Sequence, residues 1–295
     1  MERLIPNYHF EEDQNALKQM KTAFLECPAA VRAIRALKIP EEVIDQEIVK
    51  IYDFVSDINF CKKCPGVNAC NKDTPRLCTK IVYQDGIVSR ELVPCKKYLD
   101  FIKFRGQFTV RDFDDSWLNF DIKKLDRTTQ RLEVIQKFNS IINGELENAW
   151  LYISGEAGTG RTFVAANLAI EIAKKEKGPV AFIDVPYRFK ELQGTKDNDA
   201  FNKLIEKYSQ VPVLVLDDLG NEYKSDFVRE SILFPILNNR AKAHLFTIIT
   251  SDFSITDFST MYLTNQASKP KVEQIKRLLR RMCQKEINLG DLSVY

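Results

Sequence analysis

Gly155-Glu156-Ala157-Gly158-Thr159-Gly160-Arg161-Thr162 restricts what this chain can fold into more than any other stretch. It follows the pattern G-x-x-x-x-G-K-[ST] at every position but one. In that pattern, backbone N–H groups at a helix start cradle phosphates, and the Ser/Thr hydroxyl reaches Mg²⁺. The apolar run Trp150-Leu151-Tyr152-Ile153 leads into it, so the loop is expected between a strand and a helix of a nucleotide-binding core. Arg161 stands where the pattern has lysine. A guanidinium keeps the charge but is planar, larger, and donates in a fixed fork. Nucleotide binding is therefore expected to survive in altered form, and hydrolysis to suffer.

From Ala149 onward the chain alternates strand-like and helical patterns. Val180-Ala181-Phe182-Ile183 follows the first helix, Val213-Leu214-Val215-Leu216 ends in Asp217-Asp218, and Leu245-Phe246-Thr247-Ile248-Ile249 ends in Thr250-Ser251-Asp252. Short β-rich runs separated by helices predict an α/β fold with a parallel sheet covered on both faces. Ligand chemistry in such sheets gathers at the carboxyl ends of the strands.

The nucleotide-binding set is Gly155 through Thr162, with Phe163 next to it and Asp217 facing it. Thr162 and Asp217 offer hard oxygen ligands to Mg²⁺. Asp218 is placed to orient or deprotonate an attacking water, and Asp252 to hold that water or sense the γ-phosphate. The plainer alternative is a helix cap at Thr162 and turn carboxylates at Asp217 and Asp218. It leaves the order of elements unexplained.

Lys269, Lys271, Lys276, Arg277, Arg280, Arg281 and Lys285 form a basic run with Glu273 as the lone acid. Such a run can be a solvated helix face. The sharper reading is that Arg281, with Arg277 one turn earlier, reaches a nucleotide held by a neighbouring subunit. Arg229 and Arg240 are weaker candidates for subunit or nucleic-acid contact.

The first 58 residues read as short amphipathic helices. Leu17, Met20 and Phe24 form one stripe, and Val31, Ile34 and Leu37 a second. Ile44, Ile48, Ile51 and Val55 form a third, on a helix opened by Pro40, Glu41 and Glu42. Asp85-Gly86 between β-prone runs predicts a hairpin. Residues 99–118 show no clear period, and Lys123 to Ile142 reads as a helix with Leu132, Ile135, Phe138, Ile141 and Ile142 on one face. The expected organisation is thus a small first domain over 1–98, a linker over 99–124, and a nucleotide-binding domain over 125–295, in line with the chain's length.

Five of the seven cysteines (Cys61, Cys64, Cys70, Cys78 and Cys95) fall within 35 residues of the first domain. Thiols stay reduced in the cytosol, so a cluster of this kind points to metal before disulfides. One structural Zn²⁺ takes four thiolates. Cys61, Cys64, Cys70 and Cys95 are the favoured set, with Cys78 able to replace one. Only His9 and His244 are present to help, which argues against a second zinc. Cys27 and Cys283 are expected as core thiols. A net charge of +2 demands no nucleic acid globally, and no apolar run approaches membrane-spanning length, so a cytoplasmic location without membrane contact is expected.

Several of these segments resemble the bacterial replicative helicase loaders of the DnaI type, among the DnaC/DnaI/IstB-type AAA+ ATPases. Cys61-Lys62-Lys63-Cys64-Pro65-Gly66 followed by Cys70, and Val93-Pro94-Cys95, are similar to that family's zinc-binding N-terminal domain. Leu216-Asp217-Asp218-Leu219-Gly220, Phe227-Val228-Arg229-Glu230, Phe234-Pro235-Ile236-Leu237-Asn238-Asn239-Arg240, Thr250-Ser251-Asp252-Phe253 and Lys276-Arg277-Leu278-Leu279-Arg280-Arg281 resemble its AAA+ core.

The resemblance implies an AAA+ P-loop core preceded by a small helical zinc-binding domain. It implies an N-terminal domain that grips a hexameric DnaB-type helicase, and a C-terminal domain that binds ATP or ADP with Mg²⁺, together with single-stranded DNA. Self-association through the AAA+ domain goes with it. Arg281 takes the arginine-finger position and Asp252 the sensor position. The family has lysine at Arg161, usually asparagine at Asp252, and in some members a zinc-region histidine absent here. Two alternatives stand beside ATP-dependent helicase loading. One is a nucleotide-binding adaptor with little or no turnover. The other is an IstB-like transposition helper ATPase, against which the cysteine module argues.

Overall fold

The computed structural model describes residues 10–119, 128–263 and 265–290, and divides into two compact units, Met1–Lys103 and Phe104–Tyr295. His9, and the start of the helix expected from Lys123, lie outside the described residues.

The first unit runs α1 (Phe10–Leu25), α2 (Pro28–Ala36), α3 (Glu41–Gln46) and α4 (Ile48–Lys62), then an antiparallel hairpin of β1 (Leu77–Gln84) and β2 (Ile87–Pro94). Asp85 and Gly86 turn the hairpin with φ of 54° and 83°. Two positive values are what a two-residue turn between twisted strands needs. Phe24, Ala30, Ile34, Ile51 and Val55 pack with Ile81 and Val88 of the hairpin, and Cys27 lies among them. Full burial of a side chain such as Ile34 or Ile51 contributes about 1.5–3 kcal/mol.

The helix expected from Pro40 to Val55 is two helices. Glu47, at φ −106° and ψ 20°, leaves helical geometry, yet its N–H still bonds Val43 O and its carbonyl still accepts from Ile51. The apolar stripe therefore continues through a one-residue kink that spacing alone does not reveal. Leu17 and Leu37 stay exposed at the outer ends of their stripes.

After α5 (Lys96–Arg105), the second unit is built on six strands. They are β3 (Phe108–Arg111), β4 (Leu151–Ser154), β5 (Val180–Asp184), β6 (Val213–Asp217), β7 (Phe246–Ser251) and β8 (Ile287–Asn288). All pair in parallel, in the order β3-β5-β6-β7-β4-β8. Side chains alternate between the faces as the pleat requires. Leu151, Ile153, Val180, Phe182, Val213 and Val215 face α6 (Thr129–Ile142) and α7 (Arg161–Lys174). Tyr152, Ala181, Ile183, Leu214, Leu216 and Ile249 face the other side. That side is covered by α8 (Val185–Gly194), α9 (Asn198–Gln210), α10 (Phe234–Lys242), α11 (Ile255–Met261) and α12 (Lys269–Cys283).

Two expectations are corrected here. The stretch 99–124, expected to be a linker, supplies the edge strand β3, whose four residues are too few to show a period. On α6 Ile135, Phe138, Ile141 and Ile142 pack on the core as expected, but Leu132 is exposed, and Val134 and Arg131 are buried in its stead. Cys283 is fully buried, as expected. Among the described residues, no helix is long and apolar enough to cross a membrane.

Candidate nucleotide site

The glycine loop joins β4 to α7, at the carboxyl ends of the strands. Gly155, Gly158 and Gly160 have φ of 152°, 87° and 81°. A Cβ on Gly155 would sit 3.0 Å from Thr159 Oγ1 and 3.2 Å from Gly290 O, so this position has room only for glycine. The loop's carbonyls are held from behind: Arg131 Nη2 donates to Thr159 O at 3.1 Å, and Arg161 Nη1 donates to Gly155 O. The N–H groups of Gly158, Gly160, Arg161 and Thr162 make no hydrogen bond among the described residues. With the positive end of α7 behind them, they form the kind of cradle that receives phosphate oxygens.

Across from the loop, β6 delivers Asp217 and Asp218. Asp217 is 6% exposed and hydrogen-bonds the Thr162 side chain. Thr250 Oγ1 donates to Asp217 Oδ1 at 2.6 Å and accepts the Asp218 N–H at 2.9 Å. Burial pushes the Asp217 carboxyl up to about 6, with the Asp218 and Asp184 carboxylates adding to the rise. A buried anion beside a hydroxyl and a phosphate cradle is a donor set suited to Mg²⁺. Asp218 is bent into the left-handed region at φ 62°, which turns its half-exposed side chain towards Arg161 and Asn221. Burial and the nearby Asp252 carboxylate raise its pKa.

Arg161 is buried, and it is tied to carboxylates. Its Nη2 pairs with Asp252 Oδ1 and lies 3.6 Å from Asp218 Oδ1. Asn221 Nδ2 donates to the other Asp252 oxygen at 2.7 Å. The two departures from the expected motif, Arg161 and Asp252, therefore meet each other. Beside the loop, an open cleft of about 590 Å³ is lined by Gln130, Glu156, Asp252, Asp257 and Asn288. Phe163 packs its ring edge-on against Trp117, with centroids 5.2 Å apart.

Gly220, at φ 105°, closes the turn after Asp218; a Cβ there would come within 2.8 Å of Phe253 Cδ2. Thr250 and Asn221, the two side chains that organise the carboxylates, were not singled out from the sequence. A hydroxyl and an amide at strand ends carry no spacing signal.

Arg281 and Arg277 lie exposed on α12, and Arg277 Nε donates to Glu273 O of the same helix at 3.3 Å. Arg229 and Arg240 are not surface groups. Arg240 is fully buried and donates to the carbonyls of Tyr208 and Val211 and to Thr247 Oγ1. Arg229, 3% exposed, reaches Tyr262 O at 2.9 Å, Asp226 and Glu230. Both tie the fold together from within, which removes them as contact residues.

In the first unit, Cys61 lies in the last turn of α4, Cys64 follows just beyond it, Cys78 lies on β1, and Cys95 follows β2. Burial, then the thiols of Cys61 and Cys95, push Cys78 up to about 11, with Lys72 acting the other way. Cys70 Sγ instead accepts the Arg76 N–H at 3.5 Å. Among the described residues, no three Cys, His, Asp or Glu side chains converge as a ready metal cage.

Loop, strand-end carboxylates and parallel sheet together define a P-loop nucleotide-binding protein of the α/β class. Within that class, the chain belongs to the family described as IstB-like ATP binding protein, whose model matches residues 80–277. It is 26% identical over 282 residues to the replicative helicase loader DnaI of Bacillus subtilis (strain 168), across 91% of this chain and 89% of that protein. It resembles a crystal structure of DnaI with a TM-score of 0.55 at 27% identity, over 62% of this chain and 97% of the other. A putative primosome component from Streptococcus pyogenes serotype M3 shares the fold, with a TM-score of 0.53 at 20% identity over 65% and 98% of the two chains.

Proposed function

We propose that this chain is a replicative helicase loader. On this reading, the first unit holds a hexameric DnaB-type helicase, and the second binds ATP or ADP with Mg²⁺ and single-stranded DNA while the ring is placed. The observation that carries the reading is the collinear similarity to the Bacillus loader, which extends through both units. Thr162 and Asp217 would hold Mg²⁺, whose charge would neutralise phosphate oxygens. The free loop amides bind the phosphates, Asp218 orients the attacking water, and Asp252 occupies the sensor position. Arg281, with Arg277 beside it, reaches a neighbour's nucleotide when copies associate through the second unit.

The test is to supply the purified chain, hexameric helicase and single-stranded DNA, and to measure helicase transferred to DNA and strand separation. Loading that depends on this chain supports the reading. Helicase captured only by a fragment of the second unit would reverse the assignment of the gripping domain.

A zinc ion in the first unit belongs to the same reading. Its support is the sequence pattern, five cysteines from Cys61 to Cys95 with the Cys61-Lys62-Lys63-Cys64 knuckle, and not a ready cage among the described residues. Cys70 and Cys95 each accept a backbone N–H, which stabilises a thiolate, so the expected set of Cys61, Cys64, Cys70 and Cys95 stands, with Cys78 able to replace one.

A second reading, an adaptor that binds nucleotide with little turnover, is favoured by the carboxylates on Arg161. ATPase measurement with helicase and DNA present, for the parent chain and Arg161→Lys, separates the two. A large rise in kcat on substitution supports the adaptor reading for the parent; comparable turnover in both supports an active ATPase.

A further inference from the structure

The loop's cation is engaged by groups of its own chain. Arg161 Nη1 is taken by Gly155 O and Nη2 by Asp252, with Asp218 next in line at 3.6 Å. Asp252 in turn is fixed at its second oxygen by Asn221. The Arg161 side chain is only 7% exposed, so little water competes for these contacts. A guanidinium has donors enough for several partners, but they point along fixed directions in one plane. Asp252 Oδ1 lies against Nη2 as an ion pair, without the alignment of a hydrogen bond, and a phosphate oxygen reaching that nitrogen must displace it.

We propose that Asp252 is a positioning residue that competes with nucleotide phosphate for Arg161, so that binding proceeds by exchange of one anion for the other. The inference rests on the nucleotide-binding reading of the site. Affinity is lowered by the fraction of molecules in which Arg161 is withheld. The exchange also frees Asp218, so the group that faces the attacking water changes partners as the phosphates arrive. Asn221 sets how firmly Asp252 keeps its place.

The test is the Kd for Mg-ATP, read by titration of a fluorescent ATP analogue. The four proteins are the parent, Asp252→Asn, Arg161→Gln and the double variant, each checked by thermal melting. Asp252→Asn should tighten binding about tenfold when Arg161 is present, and about twofold or less in the Arg161→Gln background. An equal gain in both backgrounds would overturn the proposal, because Asp252 would then act only as a nearby negative charge. No gain with Arg161 present overturns it as well. If Arg161→Gln does not fold, Asn221→Ala replaces it: loosening Asp252 should tighten Mg-ATP binding about twofold or more, and unchanged affinity overturns the exchange. Failure of all variants to bind Mg-ATP would instead strike the nucleotide-binding reading itself.

Discussion

The Thr250 hydroxyl sits between two acidic residues of a neighbouring strand, donating to Asp217 Oδ1 at 2.6 Å while accepting the Asp218 N–H at 2.9 Å. One atom thereby sets the carboxylate that faces Thr162 and the backbone that carries Asp218. Thr250→Val removes both contacts at nearly constant volume. A lost buried hydrogen bond to a charged group costs about 1.5–3 kcal/mol. Mg-nucleotide affinity should therefore fall by about tenfold or more, measured by calorimetric titration, with the fold retained by circular dichroism. Unchanged affinity would show that Asp217 is held by Thr162 alone.

Asp217 carries a pH signature. Burial first, then Asp218 and Asp184, raise its carboxyl from 3.8 to about 6, against the hydrogen bonds of Thr250 and Thr162. Between those values the folded chain keeps a proton that the unfolded chain has released. Stability from this group is thus complete below pH 3.8 and is lost as pH rises through 6. Asp217→Asn should raise the nucleotide-free Tm at pH 7.5 by about 2–4 °C, and the gain should shrink towards pH 4. It should also abolish the Mg²⁺ dependence of nucleotide binding. A Tm gain identical at both pH values would contradict the linkage.

Two arginines of similar sequence appearance should behave oppositely. Arg240→Leu leaves the carbonyls of Tyr208 and Val211 buried without a donor, at about 1–3 kcal/mol each. Its Tm should drop by about 6–12 °C. Arg281→Ala, on the exposed face of α12, should change stability by less than about 0.5 kcal/mol. It should lower ATP turnover only under conditions where copies assemble. Thermal melts and ATPase rates across protein concentration distinguish the two effects.

Metal content gives an independent check on the first unit. Mass spectrometry of the purified full chain should find about one Zn²⁺ per molecule. Cys70→Ser should lower that content strongly, because backbone N–H groups hold its thiol below the usual range, while Cys78→Ser should retain most of it. Full retention in Cys70→Ser with loss in Cys78→Ser would put Cys78 in its place in the ligand set.

The parts of the site legible in the sequence are those whose chemistry is tied to an element end. The glycines announce positive φ, and Asp217, Asp218 and Asp252 stand where apolar strands stop. Arg161 was legible as a misfit, but its destination was not, since Asp252 lies 91 positions away and only the parallel pairing of the sheet brings it near. Thr250 and Asn221 act by direction of a hydrogen bond, which leaves no pattern. Arg229 and Arg240 were misread because charge in a sequence suggests solvent, whereas here carbonyls and carboxylates take the place of water. Strands of four and two residues, β3 and β8, are recognised only by their neighbours.

Gly220 has no space for a methyl group because the ring of Phe253 lies against it. The acidic turn after β6 and the turn after β7 are therefore seated as one piece, without slack between them. A shift of the turn that carries Asp218 would press on Phe253, which stands just before the start of α11. In mechanical terms, the glycine is the pin of a lever: its smallness makes the joint stiff, and a larger residue there would uncouple the arm from the load.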